Sequence, residues 1–148
     1  MKKIILLVLA LILTACTSSA TTEFDKNLAK WQAAKITHYS YSLSVGCFCA
    51  FMDQMPVKIE MKDGEIVSVT STNGNAITST DDLYEILQSY AGMDMLFNQV
   101  KAASENADKV EVTYNPTNGF PTSITIDIIE EAVDDELYIT VGDFKVLE

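Results

Sequence analysis

The chain is predicted to be an α+β protein, an antiparallel sheet of about six strands in two three-strand meanders with helices on one face. Three observations predict it. Segments with period-two alternation recur along the sequence, three before and three after a block with helical spacing. The links inside each run of three are short, whereas a parallel pair needs a crossover of a dozen residues or more. A further helical segment precedes the first strand, so the order is α-β-β-β-α-α-β-β-β.

Each element has its own local cause. From Glu23 to Lys35, Phe24, Leu28 and Trp31 recur at helical spacing behind Thr22 and Asp25, which are spaced as a capping box. Trp31 falls on the apolar face and is assigned to the core. Tyr39, Tyr41, Leu43, Val45 and Cys47 alternate with Ser40, Ser42 and Ser44, the clearest strand in the chain. Val57, Ile59 and Met61 form the second, and Asp63-Gly64 is a two-residue turn into a third over Ile66 to Thr70. After a polar stretch from Ser71 to Thr80, Leu83, Ile86, Leu87 and Tyr90 return at helical spacing. Gly92 is a hinge, and Met93, Leu96, Phe97 and Val100 carry the next helix to about Asn106. Val110, Val112 and Tyr114, then Ile124, Ile126 and Ile128 across the Asn115 to Gly119 turn, and finally Leu137, Ile139 and Val141 supply the second meander.

The first residues have a different character. Met1-Lys2-Lys3, an apolar run from Ile4 to Leu13 and Thr14-Ala15-Cys16 form a basic region, a hydrophobic region and a small-residue cleavage site. That run is too short for a bilayer, which takes roughly 20 apolar residues as a helix. Leu13-Thr14-Ala15-Cys16 resembles the bacterial lipobox, and the resemblance implies that Cys16 becomes the lipidated first residue of the mature chain. Residues 1–15 are then a signal peptide, 16–22 the lipidated cysteine with a flexible polar tether, and 23–148 one folded domain. The expected location is the bacterial cell envelope, at the outer membrane facing the periplasm in an organism that has one, since Thr17 and not Asp follows the cysteine.

Charge narrows the partners. Beyond Cys16, eight lysines stand against 21 acids, a balance of −13, and the chain has no arginine. Such a surface repels phosphate backbones and lacks their bidentate reader, so no nucleic acid is expected. Anionic lipid is disfavoured for the same reason, which leaves the acyl anchor as the membrane contact.

Cys47 and Cys49 are the only cysteines after Cys16, and outside the cytoplasm thiols tend to be oxidised. In a flat strand their Cα atoms would lie about 6.6 Å apart, near the upper limit for a disulfide, so the strand has to pucker to join them. A structural bridge closing the strand, a redox pair, and a soft-metal site with Met52 and Met55 selecting Cu(I) are the alternatives the residues leave open. Asp134, Asp135 and Glu136, with Glu130 and Glu131, crowd the last connection, either as a solvated loop or as a cation-binding one; the spacing fits no EF-hand. His38, the sole histidine, is read as an exposed loop residue. Gly-x-Ser-x-Gly, His-Glu-x-x-His and phosphate-cradling glycine loops are missing, so neither catalysis nor a cofactor is expected.

Taken in order, Ile36-Thr37-His38-Tyr39-Ser40-Tyr41, Cys47-Phe48-Cys49, Lys62-Asp63-Gly64, Met95-Leu96-Phe97, Asn118-Gly119-Phe120-Pro121-Thr122-Ser123-Ile124 with Asp127, and Asp134-Asp135-Glu136 resemble the lipoprotein family known as domain of unknown function 6174. The resemblance implies location and architecture and brings no catalytic residue or ligand. The expectation is a membrane-anchored, non-catalytic binding or interaction module with an unidentified envelope protein or ligand as partner. The alternative is an envelope redox or Cu(I) protein built on Cys47 and Cys49.

Overall fold

The computed structural model describes residues 22–148. The expected signal peptide, Cys16 and nearly all of the expected tether therefore lie outside the described residues. Helix α1 (Glu23–Ala34) starts at the capping box: the Thr22 hydroxyl accepts from Asp25 N–H at 3.1 Å, and the Asp25 carboxylate accepts from Thr22 N–H at 3.3 Å. Strands β1 (His38–Gly46), β2 (Val57–Lys62) and β3 (Glu65–Ser71) follow, with a single 3₁₀ turn over Met52–Gln54 between the first two. Helices α2 (Asp82–Leu87) and α3 (Met93–Asn106) come next, then β4 (Lys109–Tyr114), β5 (Pro121–Asp127) and β6 (Glu136–Val146). No helix among the described residues is long and apolar enough to cross a membrane.

The six strands make one antiparallel sheet in the order β3-β2-β1-β6-β5-β4. The predicted α+β class, strand number and element order all hold. Each meander is a run of neighbouring hairpins, and the two meet where β1 pairs with β6. Asp63 and Gly64 both take positive φ, as the tight β2–β3 turn requires.

Alternation decides the faces. Tyr39, Tyr41, Leu43 and Val45, with Ile59, Ile124 and Ile139 from neighbouring strands, are buried in the same core as Leu87, Leu96 and Val100 of the helices. Each such side chain contributes about 1.5–3 kcal/mol by leaving water. The opposite face is polar and open: Ser44, Thr140, Ser123 and Thr113 fall in one row across β1, β6, β5 and β4.

Trp31 holds α1 to the sheet. It lies edge-on to Tyr39, Phe120 and Phe144 at centroid distances of 5.6, 6.0 and 6.3 Å, and its indole N–H donates to Asp94 Oδ1 at 3.1 Å. Gly119 permits this closeness. Its φ is +80°, and a Cβ there would run into the backbone carbonyl of Asn27 in α1.

The start of α3 is capped in an unusual way. Gly92, at φ +91°, offers no side chain, and the buried Tyr41 hydroxyl accepts from its N–H at 2.8 Å. The Tyr39 hydroxyl accepts from Met93 N–H at 3.1 Å. Two tyrosines of the central strand thus satisfy amides that every helix start leaves unpaired.

Several boundaries differ from the sequence reading. β1 stops at Gly46, so both cysteines lie beyond it; α2 ends at Leu87; β5 starts early, at Pro121. β6 runs past Val141 to Val146, because a register shift opposite Ser40 and Ser42 with Asp143 at φ +49° returns Phe144 to the aromatic cluster. His38 is no loop residue. It begins β1, half-buried, with Nε2 hydrogen-bonded to Glu60 Oε1 and Nδ1 to the main-chain oxygen of Glu148, both at 2.9 Å.

Candidate functional site

Past Gly46 the chain leaves the sheet in a tight turn. Cys49 N–H donates to Cys47 C=O at 2.8 Å, and the Cys47 and Cys49 sulfurs stand at disulfide-bonding distance, with Cα atoms 5.2 Å apart. The pucker that the pairing demands is achieved by ending the strand before the first cysteine. Two more contacts tie the turn down: Met52 N–H donates to Cys49 C=O at 3.4 Å, and Cys47 N–H points to the Met52 sulfur at 3.3 Å. At its tip sits Phe48, 87% exposed.

Because Gly46 pairs with Tyr138, the end of β1 lies beside the start of β6. Phe48, Met52 and Cys47 therefore share a shallow cavity of about 260 Å³ with Tyr138, Asp134 and Glu136. The cysteine turn and the acidic connection, two sites apart in sequence, become one. Of its lining, Tyr138 and Met52 are about half exposed, and the connection that supplies Asp134 also exposes Val133, at 82%, and Ile129, at about half.

The electrostatics are one-sided. Asp134 and Glu136 form no ion pair, the two salt bridges among the described residues being His38–Glu60 and Lys109–Glu111. Asp127, at the end of β5 facing Glu136 across the ladder, has its carboxyl held above the usual range. Partial desolvation is the first cause, then repulsion by Asp135, Glu136 and Glu130, which Lys109 opposes.

Asp135 has a different task from its neighbours. Its Oδ2 accepts from Ile129 N–H at 2.8 Å and shapes the connection, while its Oδ1 is buried without a donor. Among the described residues no group of three or more His, Cys, Asp or Glu is placed to hold a metal ion. Of the sulfur set considered for Cu(I), Cys47 and Met52 line the cavity while Cys49 and Met55 do not, and Met55 packs against the core.

A larger cleft of about 630 Å³ between α1 and α3 is lined by Phe24, Leu28 and Phe97. Its acids are already engaged: Asp25 in the capping box and Asp94 with Trp31. The open sheet face carries mainly hydroxyls and charged side chains, with Tyr138 as an exposed aromatic at the end nearest the cysteine turn.

Residues 23–146 match the model of a family of unknown function, DUF6174. The chain belongs to that family. No curated protein and no solved structure matches it. The family match covers the whole sheet and all three helices. Of the residues that carry the resemblance, Gly119 and Phe120 close α1 onto the sheet, whereas Cys47-Phe48-Cys49 and Asp134 to Glu136 meet at the surface.

Tyr138 and Val133 were not singled out by sequence. Tyr138 was legible, since it lies on the outward parity of a strand whose inward residues are Leu137, Ile139 and Val141. Val133 carries no such signal.

Proposed function

We propose that the chain is a non-catalytic interaction module of the bacterial cell envelope. It is anchored by lipidated Cys16 and held at the outer membrane, facing the periplasm, where the organism has one. The leader pattern and the acidic balance of the remainder support the anchored location. One observation carries the binding half: an almost fully exposed phenylalanine at the tip of a turn closed by Cys47 and Cys49.

Leaving an aromatic ring in water forgoes about 1.5–3 kcal/mol of burial, and fixing it in advance lowers the entropy that a partner has to overcome. A ring carried on such a turn, with Met52 and Tyr138 lining the same cavity, has the composition of an interface centre.

A photo-crosslinking residue at position 48 of the full chain, in cells, tests the reading. The expected result is one dominant adduct with an envelope protein that is lost in Cys47→Ser/Cys49→Ser; no adduct above a control at exposed Lys26 would overturn it. Radiolabelled palmitate should enter the wild type and not Cys16→Ser. A robust hydrolase or reductase activity in the purified protein would rule out a non-catalytic role.

A further inference from the structure

The cavity beside Phe48 joins two kinds of wall. Phe48, Met52 and Tyr138 supply apolar and aromatic surface, while Asp134 and Glu136 supply two carboxylates, neither in an ion pair. No lysine lines it. Few side chains complement both at once. A carboxylate is repelled, and an aliphatic group leaves the charges uncompensated.

Lysine and arginine satisfy both, because each has an apolar stem and a cationic head. The stem lies along the thioether and rings, and the head reaches the carboxylates within reach of an aromatic face. We infer that the cavity receives a lysine or arginine side chain from a basic, extended segment of a partner protein. This rests on the interaction-module reading and names the partner's chemistry.

The surroundings extend the match beyond one side chain. Asp127, Glu130, Glu131 and Asp135 stand at the same end of the sheet, and Asp53 lies on the turn that carries Met52. With Lys109 the only cation opposing Asp127, this end is a negative pole. A basic chain is drawn to it, and anionic lipid is repelled. Val133 and Ile129, exposed on the same connection, give apolar neighbours of the inserted residue something to cover. The segment is therefore basic with interspersed apolar residues.

The test uses the full chain in a nonionic detergent and three labelled peptides: alternating Lys-Leu, alternating Arg-Leu and alternating Glu-Leu. Both basic peptides should bind, with affinity falling about tenfold or more as salt rises from about 0.05 to about 0.3 M, and the acidic one should not bind. Asp134→Asn/Glu136→Gln and Phe48→Ala should each weaken basic-peptide binding about tenfold. Phe48 is exposed and Asn tolerates the positive φ of residue 134, so both variants should melt with the wild type.

Equal basic-peptide affinity in Asp134→Asn/Glu136→Gln and wild type would mean diffuse charge attraction and would overturn the inference. Phe48-dependent binding of the acidic peptide alone would overturn the basic partner while leaving an interaction module standing. Binding to anionic phospholipid vesicles in place of the peptides would also overturn it. Loss of the crosslink at position 48 in cells, in contrast, would remove the module reading itself.

Discussion

Tyr41→Phe removes one oxygen from the centre of the protein and tests how α3 is held. Tyr41 is fully buried, and its hydroxyl accepts the Gly92 amide at 2.8 Å. Phenylalanine keeps the ring and its packing, so the loss is that of one acceptor and the small void it occupied. A buried amide left without a partner costs about 1–3 kcal/mol, and no water reaches this one cheaply. The expected destabilisation is about 2 kcal/mol, which at roughly 4 °C per kcal/mol for a domain of this size lowers the melting temperature by about 8 °C. Urea titration followed by the fluorescence of Trp31, the sole tryptophan, gives the free energy. Hydrogen exchange at the Gly92 amide gives the mechanism, since its protection should fall more than that of amides later in α3. A variant within about 0.5 kcal/mol of wild type, with Gly92 still protected, would show that the tyrosine hydroxyl does not cap the helix.

Gly119→Ala should be more severe, about 3 kcal/mol or beyond, since it adds the strain of a positive φ to a collision with the Asn27 carbonyl; a loss under about 1 kcal/mol would mean that α1 docks loosely. Cys47→Ser/Cys49→Ser should cost only about 1.5 kcal/mol, because closing so short a loop removes little entropy from the unfolded chain, and an unchanged melting temperature would refute a structural bridge. Burial raises the Tyr39 and Tyr41 hydroxyls above their ordinary 10.0. Both keep their protons to higher pH in the fold than in the unfolded chain, so the stability they contribute is complete below pH 10 and is lost as pH rises from there through their raised folded values. Tyr41→Phe should shallow that slope in alkaline urea titrations; a flat profile would refute the linkage.

Local rules wrote most of this fold into the sequence. Tyr39 to Val45 and the Asp63-Gly64 turn are short-range signals, and period two places the serines of β1 on the open face. The β1–β6 pairing left no such trace, because it joins segments at opposite ends of the domain and depends on which edges remain after each meander closes. The continuation of β6 past Val141 through a bulge at Gly142-Asp143 is visible only beside Ser42 and Phe144. The candidate site was half legible for the same reason. Cys47-Phe48-Cys49 and the acidic connection each stand out alone, but their meeting follows from Gly46 lying opposite Tyr138.

That same pairing sets a clock on synthesis. β1 is among the first elements to leave the ribosome, yet one of its two edges waits for a strand made roughly a hundred residues later. At about 5–20 residues per second the wait is on the order of 5–20 s, during which neither meander has a sheet to join. A central strand completed last keeps the nascent chain open throughout its manufacture. On the proposed address beyond a membrane, that delay is the interval in which the chain can still be threaded through.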